Sequence, residues 1–386
     1  MAMIKVLKRE FKRIFSKKSY IGILFILPVF LFFLFPAIYN KQSIENIQIG
    51  IVDHDNSALS NKLKSMIHSS HLVQIKKYYP SVESLKSALN HQEINGAIVI
   101  QNGFENEIKH NRNFDIHMFR SSASMVYGKI MYKALAQTIL TLNAGILHER
   151  LRKAGITEEM AMNLANPIRI HAKSMYNPSY NYQNYLVPGL TIVSIQMILI
   201  MMGVLMINSE KEENTFDDLI FVSKNSALNI IFGKVFTYYI IGIFYFIFLF
   251  GIVFQFYRIP IGGDFTQYFV LFSLFLFACL FIAIAISSIL SEALTASDIA
   301  LFYTAPSFVF SGFTFPGWAM PWYDQYYALI MPYTAFLDAY IFVNNMSPNW
   351  SVLFPFLTPL VVFSVIGFSF AFAFVKFSLI KRKGHV

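Results

Sequence analysis

The run LVPGLTIVSIQMILIMMGVLMI (residues 186–207) holds no charged residue, and NSEKEENTFDDL (residues 208–219) follows it at once with five acids and one lysine. An α-helix of about 20 apolar residues crosses a hydrocarbon core roughly 30 Å thick. The run therefore predicts a transmembrane helix that ends in a strongly hydrated segment. A solvated loop would account for that segment, and a docking site for a partner is the alternative.

Six uncharged runs of similar length occur in the chain. They are Tyr20–Tyr39, Leu186–Asn208, Val235–Tyr257, Phe265–Ser291, Ile299–Tyr323 and Leu353–Val375. Only 14% of the 386 residues are charged, whereas about 25% is usual in soluble domains. Helices satisfy their own backbone hydrogen bonds inside lipid. We therefore expect an α-helical membrane protein with six transmembrane helices, the first over residues 20–39 and the others within 184–380.

Basic residues crowd both ends of the chain, in residues 1–19 and 381–386. Short basic segments beside transmembrane helices mark the cytoplasmic side of a membrane. The net charge of +9 is therefore explained by membrane topology rather than by nucleic-acid binding. The first apolar run is too long for a signal peptide and lacks an A-x-A site, so it is expected to stay as an anchor. We expect a multi-pass protein of the cell (inner) membrane with both termini cytoplasmic.

Residues 40–183 would then form an extracytoplasmic domain. Strand-like segments occur at 47–53, 72–78, 96–100 and 114–119. Helical patterns occur at 57–67, 81–90, 104–110 and 124–153. Strands that alternate with helices favour an α/β sandwich. The prediction is an α/β extracytoplasmic domain between transmembrane helices 1 and 2.

Two segments of the 184–380 region carry unusual patterns. Residues 209–225 combine clustered acids with a following apolar stretch, which predicts a short cytoplasmic helix with a polar side open to a partner. Leu219 and Phe221–Val222 would rest on the membrane. Residues 312–340 contain three prolines that interrupt a straight helix and several aromatic residues suited to a membrane interface. A re-entrant pair of short helices is the prediction there, and an ordinary interfacial loop is the alternative.

Motifs for catalysis are missing from the sequence. There is no G-x-x-x-x-G-K-[ST], H-E-x-x-H or G-x-S-x-G, and Cys279 is the single cysteine. His68 and His71 are the nearest histidine pair, better explained as surface residues than as a metal site. We expect no catalytic residue, no metal and no cofactor bound by this chain, hence no enzyme.

The acidic segment resembles a known motif. Residues 210–219, EKEENTFDDL, are similar to the E-R-E-x-G-T-x-E-x-L pattern that follows the second transmembrane helix of ABC-2 type permeases, in the drug-exporter-like branch with a large external domain. The departures are Lys for Arg, Asn for Gly and Asp for Glu. Asn tolerates a left-handed turn, so the backbone of this motif can be kept, whereas Lys loses the bidentate fork of Arg.

Three further stretches resemble the same family. They are YNPSYNYQNYLVPGL (176–190), the GK pair at 233–234 and PSFVFSGFTFPGWAMPWY (306–323). The resemblance implies that the ATPase-coupling residues are Glu210, Lys211, Glu212, Asn214, Thr215, Asp218, Leu219, Gly233 and Lys234. It also implies re-entrant or gate positions at Ser311, Gly312, Phe313, Pro316, Met320 and Pro321.

Family membership would make this chain the permease subunit of an ABC exporter. The resemblance implies a separate cytoplasmic ABC ATPase that binds ATP and Mg, a second permease copy or a paralogue, and possible contact with a periplasmic adaptor and an outer-membrane channel. The compound exported would be hydrophobic or amphipathic, and the apolar side chains of Met197, Met201, Phe308 and Phe310 would suit its path. These side chains would otherwise face lipid or neighbouring helices.

Two other classes of function compete with this interpretation. An ATP-independent carrier is disfavoured because the six runs hold no carboxylate or histidine at mid-span. A membrane-anchored sensor or scaffold that uses its external domain would not need broken helices or an acidic inner segment.

Overall fold

The computed structural model describes residues 2–40, 45–121, 125–165, 176–177 and 181–383. Ser124, at the expected start of a helix, and residues 384–386 of the expected basic tail lie outside the described residues. The chain divides into two units. We call Met1–Gln42 with Tyr176–Val386 the membrane unit, and Ser43–Met175 the α/β unit.

The membrane unit begins with an amphipathic helix, α1 (Ala2–Ser16), which buries Val6, Glu10 and Ile14 along one face at four-residue spacing. The first apolar run follows as α2 (Lys18–Ile21), a π-helical turn at Gly22–Ile26 and α3 (Leu27–Ile38). Together these three pieces span Lys18–Ile38, close to the predicted first run.

The α/β unit contains a four-stranded sheet in the order β2-β1-β3-β4. Its strands are β1 (Ile47–Asp53), β2 (Val73–Tyr78), β3 (Gly96–Ile100) and β4 (His117–Arg120). β1 pairs in parallel with β2 and β3, and β4 is antiparallel to β3. The helices are α4 (Ala58–His68), α5 (Val82–Asn90), α6 (Phe104–Lys109), α7 (Met125–Lys153) and α8 (Glu158–Ala165).

Alternation along the strands gives the α/β unit two cores. Ile98 and Ile100 of β3 pack with residues of α4 and α7 on one face of the sheet. Ala97 and Val99 of the same strand pack with residues of α5 on the other face. Successive side chains of a strand point to opposite faces, so a strand buried on both sides is apolar throughout. The sheet is therefore covered by helices on both faces.

The chain then returns to the membrane unit, which contains the remaining helices. They are α9 (Tyr182–Gly203), α10 (Leu205–Glu212), α11 (Phe216–Val222), α12 (Ala227–Phe248), α13 (Phe254–Phe256), α14 (Phe265–Ile289), α15 (Ala293–Thr304), α16 (Ser307–Phe310), α17 (Trp322–Leu329), α18 (Pro332–Met346) and α19 (Trp350–Lys383). A π-helical turn at Leu249–Val253 joins α12 to α13.

Seven helices of the described chain are long and apolar enough to cross a membrane, or up to eight if a bent pair forms one span. The sequence led us to expect six. The additional helix, Tyr127–Lys153, belongs to α7, and its residues Met131, Leu135 and Leu142 are buried in the core of the α/β unit. These three residues of α7 thus pack on the sheet, whereas Tyr132, Leu140 and Leu147 of the same helix are exposed. The mostly helical chain is a multi-pass membrane protein.

The fifth apolar run ends earlier than its composition suggested. The helix covers Ala293–Phe310, whereas the uncharged run extends to Tyr323. The chain leaves the helix at Ser311 and Gly312, and Gly312 has a φ of +83°, a conformation that glycine adopts without strain. Beyond this turn, α17 and α18 meet at an angle of 83°. The broken helix pair expected within residues 312–340 is therefore present, although α18 continues to Met346.

Helix α14 lies at the centre of the membrane unit, in contact with α9, α12, α18 and α19. The close approach of α14 to α9 depends on small residues, because a Cβ added at Gly203 would lie 2.5 Å from the Cβ of Ala283. Ser287, one turn further along α14, accepts hydrogen bonds from the N–H groups of Ile207 (2.8 Å) and Asn208 (3.2 Å). Both N–H groups lie in the first turn of α10. The small residues of α14 therefore serve packing within this chain.

Candidate functional site

The segment expected to form one helix over 209–225 is divided into two helices. α10 carries Glu210, Lys211 and Glu212 at its end, and α11 begins after a turn. Asn214 in that turn has a φ of +56°, a left-handed conformation. Asn adopts this conformation more readily than most residues, so it can replace the Gly of the motif here. Glu210, Lys211 and Glu212 thus extend the second apolar helix. We call residues 209–225 the coupling segment.

Glu210 is fully buried and is the centre of a charge cluster. The guanidinium of Arg9 donates to both carboxylate oxygens, at 2.6 and 2.8 Å, in a bidentate pair. Arg13 lies 3.0 Å from the same carboxylate, and the hydroxyl of Thr215 donates to it at 2.5 Å. Bidentate Arg–carboxylate pairs combine strength with a fixed orientation. Glu210 therefore fixes the end of α10 against α1.

Lys234 joins a third helix to the same cluster. It lies on α12 with its side chain fully buried, and its Nζ donates to Glu10 Oε2 at 2.5 Å and to Glu210 Oε1 at 2.8 Å. Glu10, on α1, is only 1% exposed. Buried charges are tolerated only when they are paired and hydrogen-bonded. We call Arg9, Glu10, Arg13, Glu210 and Lys234 the buried charge cluster.

Gly233 permits the approach that makes this pairing possible. A Cβ added there would lie 2.6 Å from the side chain of Val6 on α1. Any larger residue would push α12 away from α1, and the ammonium of Lys234 with it. The Gly-Lys pair thus combines a close backbone contact with a buried cation, which is a physical reason for the two residues to occur together.

The rim of the cluster is solvent-accessible. Glu213 pairs with Arg13 at 3.3 Å and accepts a hydrogen bond from Lys17. Partial burial raises the pKa of Glu213, but the hydrogen bond from Lys17 and the charge of Arg13 outweigh it, so the pKa lies below its usual value. Glu213 therefore stays ionised at neutral pH and extends the network from the buried pairs to the surface.

Other residues of the coupling segment have different surroundings. Lys211 donates to the backbone carbonyl of Ser288 at 3.4 Å, and Glu212 accepts from the N–H of Ala293 at 2.6 Å, where α15 begins. Leu219 is fully buried, so the expectation that it rests on the membrane surface was wrong. Asp218 is exposed, and Phe221 is 85% exposed. Fewer residues of 209–225 are thus available to a partner than the sequence indicated.

The expected gate residues lie around a cavity of about 430 Å³. Ser311, Gly312, Phe313 and Met320 line it. Pro316 and Pro321, by contrast, are exposed and flank the short 3₁₀ turn Gly317–Ala319. Four of the six residues are therefore brought together by the turn after α16.

Phe313 holds one side of this cavity. Its ring stacks on that of Tyr185 with centroids 4.5 Å apart, and the Tyr185 hydroxyl donates to the carbonyl of Phe313. A Cβ on Gly189 would lie 2.6 Å from the Phe313 ring, and the carbonyl of Gly189 accepts from Tyr333 at 3.0 Å. Tyr185 and Phe313 also line a neighbouring cavity of about 130 Å³. The stacked pair is thus part of the wall of both cavities.

The four residues suggested for a substrate path are not all at one place. Phe310 lines the larger cavity and packs on Tyr327 at 5.3 Å. Phe308 packs on Phe313 at 5.9 Å. Met197 and Met201, half-buried on α9, are not among the described residues lining the two cavities. Only the two phenylalanines are therefore associated with the gate residues.

Comparison with known proteins decides the family. A family description, ABC-2 family transporter protein, matches residues 18–373. The chain belongs to this family. The ABC-2 chain is also 24% identical over 196 residues to the probable multidrug ABC transporter permease YbhR of Escherichia coli (strain K12), and equally to that of Escherichia coli O157:H7. These alignments cover 50% of this chain and 53% of the relatives, so the chain spans about half the length of the curated relatives it matches.

ABC-2 proteins are described as transporter proteins. The family in general implies an ATPase partner and a dimeric arrangement. Within the described residues there is no group of three or more His, Cys, Asp or Glu side chains that could hold a metal ion.

Sequence reasoning missed part of the site in this ABC-2 chain. The basic pattern of residues 1–19 indicates membrane topology alone, and neither the pairing of Arg9 and Arg13 nor the burial of Glu10 follows from it. A signal was available, because Glu10 is the single acid among seven bases in the first 18 residues and Arg9 and Arg13 stand four residues apart on a helix. Asp338 was also missed: it lies on α18, outside the uncharged runs, and lines the larger cavity.

Proposed function

We propose that this protein is the membrane subunit of an ATP-driven ABC exporter that moves a hydrophobic or amphipathic compound outward across the inner membrane. The observation that carries the proposal is the buried charge cluster beneath the coupling segment. A solvated loop would not need ion pairs that cost several kcal/mol of desolvation per charge. A segment that transmits force from a partner must instead be rigidly attached to the membrane helices, as Glu210 is attached to α1 and α12.

The proposed topology places six helices across the membrane and both termini in the cytoplasm. The basic α1 then lies on the cytoplasmic side together with the coupling segment, which agrees with the ion pairs between them. The α/β unit, inserted between the first and second membrane helices, would lie outside the cytoplasm. In hosts with an outer membrane it could contact a periplasmic adaptor and an outer-membrane channel.

The ATPase would dock on the exposed part of the coupling segment. Asp217, Asp218 and Phe221 form the exposed side of α11, while Leu219 and Phe216 anchor the helix in the core. Rotation or displacement of α11 by the ATPase would be passed to α10 through the short turn at Asn214 and to α1 and α12 through the buried charge cluster. ATP and Mg would be bound by the partner chain.

Export would use a dimer of two permease copies, or of this chain and a paralogue. The stacked Tyr185–Phe313 pair is the proposed gate, because both residues belong to the wall of two neighbouring cavities. Phe308 and Phe310 would contribute apolar surface beside it. The multidrug description of the two Escherichia coli relatives is consistent with a compound of this kind.

Copurification with an ABC ATPase encoded by a neighbouring open reading frame tests the proposal. Asp218→Lys reverses a charge on the exposed side of α11 and is expected to abolish copurification and ATP-dependent transport. Glu212 is unsuitable for this purpose, because it also accepts a hydrogen bond at the start of α15. Glu93→Lys, an equal charge reversal at an exposed position of the α/β unit, is the matched control.

Unchanged ATPase binding by Asp218→Lys, with equal binding by the Glu93→Lys control, would contradict the docking assignment. Transport by the purified chain without any ATPase would favour the ATP-independent carrier instead. A chain that binds no ATPase and transports nothing, yet binds a ligand through the α/β unit, would favour the membrane-anchored sensor.

A further inference from the structure

The larger cavity of the membrane unit holds an unexplained carboxylate. Asp338 of α18 lines the cavity of about 430 Å³ together with the aromatic residues Tyr185, Phe310 and Phe313. No hydrogen bond or ion pair joins Asp338 to another residue of the described ranges. The Asp338 side chain is exposed, on one helix of a bent pair that is apolar enough to enter a membrane, and an ionisable side chain in such a segment points to function.

The described residues that line the cavity include no basic side chain to balance this carboxylate. The sequence contains no Lys or Arg from Ile259 to Val375, the stretch that supplies every described cavity-lining residue except Tyr185. The described lining therefore has one acid and no basic side chain to neutralise it. A positively charged ligand is the species that would complete the site.

The remaining lining suits the apolar part of such a ligand. The cavity volume of about 430 Å³ falls within the roughly 300–1,000 Å³ usual for small-molecule sites. Rings of Tyr185, Phe310 and Phe313 surround the cavity, and aromatic faces attract cations in addition to providing apolar surface. Leu329, Leu337 and Ile341 add aliphatic contacts.

We infer that this cavity is a binding site for lipophilic cations, in which Asp338 pairs with the positive charge and the aromatic rings hold the apolar body. The inference rests on the proposed export function in that it names the substrate class, organic cations with a large apolar surface. The site lies against the Tyr185–Phe313 pair, so a bound cation would be held next to the proposed gate.

Binding of tetraphenylphosphonium tests the inference. The purified full-length protein in lipid nanodiscs is equilibrated with the radiolabelled cation, and binding to empty nanodiscs is subtracted. Tetraphenylborate is a probe of nearly the same size and shape with the opposite charge. We expect saturable binding of the cation and none of the anion. Equal binding of both ions would overturn the inference, as would a failure of the cation to bind saturably.

Variants locate the site within the protein. Asp338→Asn is expected to weaken binding of tetraphenylphosphonium by about tenfold or more, since it removes a charge-assisted interaction. Asp338→Glu keeps the charge and is expected to retain most of the affinity. Asp324→Asn, on the adjacent helix α17 but outside the described lining, is the matched control and is expected to bind like the unmodified protein.

Full affinity in Asp338→Asn, or an equal loss in Asp324→Asn, would sink the assignment. If Asp338→Asn does not give monodisperse protein, Asp338→Glu and the comparison of the two probes still decide the question. The measurement needs no ATPase, so its outcome is separate from that of the export proposal. A chain that binds no ATPase can still bind the cation, and a functioning exporter can fail to bind it.

Discussion

Replacing Lys234 with methionine removes the cation that connects three helices while keeping an unbranched, flexible side chain of similar length. The Lys234 Nζ lies 2.5 Å from Glu10 Oε2 and 2.8 Å from Glu210 Oε1. At such distances, with an effective dielectric constant of about 20, each attraction amounts to about 6 kcal/mol. Desolvation of the three groups offsets most of this sum.

The cost of the substitution comes from the partner left behind. Glu210 keeps its pairs with Arg9 and Arg13, but Glu10 loses the ammonium that it pairs with while its side chain stays buried. Removing one member of a buried pair usually destabilises a protein by about 3–5 kcal/mol. We expect Lys234→Met to lower the free energy of unfolding by that amount.

Unfolding by SDS in mixed micelles, followed by circular dichroism, measures the change. Lys12→Met, at an exposed position of α1, is the control and is expected to stay within about 0.5 kcal/mol of the unmodified protein. Combining Lys234→Met with Glu10→Met should restore much of the lost stability, because apolar replacement of a whole buried pair is often tolerated. A loss under about 1 kcal/mol, or strict additivity of the two substitutions, would refute the reasoning.

Two other substitutions test the packing of each unit. Ser287→Ala removes the acceptor of the Ile207 and Asn208 N–H groups, and the same SDS titration should show a loss of about 1–3 kcal/mol; a neutral result would mean that these groups find another acceptor. In the α/β unit, burial raises the pKa of Asp53 but hydrogen bonds from Lys64, Asn56 and Ser60 outweigh it, so its pKa is lowered. Because the folded pKa lies below the unfolded value of about 3.9, this carboxylate stabilises the unit above that pH and the contribution is lost as pH falls through the folded pKa. Hydrogen exchange of β1 in the full-length protein should therefore accelerate in Asp53→Asn at pH 7, and the difference should shrink in acid; a constant difference at all pH values would contradict the assignment.

Features that depend on neighbours in the sequence were predicted well. β1 and β3 have the predicted bounds, because their apolar and β-branched residues lie between turn-forming residues. The helix α5 begins at Val82, one residue after the predicted start, and Ser81 is its N-cap. The capping box with Ser84 is complete, although serine rather than Glu or Gln occupies the third helical position. Composition alone could not tell that the apolar helix α7 packs on a sheet, since a buried helix and a membrane helix have similar hydropathy.

Only part of the candidate site was predicted from the sequence. The coupling residues were recognised from a resemblance in the motif, but the burial of Glu210 and the role of Glu10 depend on contacts between residues more than 200 positions apart. Asp338 could not be assigned to a cavity from the sequence, because the lining combines Tyr185 of α9 with residues more than 120 positions further along the chain.

The order of apolar runs and charged ends determined, without any structure, that this chain is a membrane protein with a separate α/β unit, because burial in lipid depends on composition over some twenty residues. The tertiary structure alone decided which charges are buried and which acids face outward. It also decided which carboxylate lines a cavity without a partner among the described residues. The energy of a charge depends on the groups within a few ångströms of it, and in this protein those groups come from distant parts of the chain.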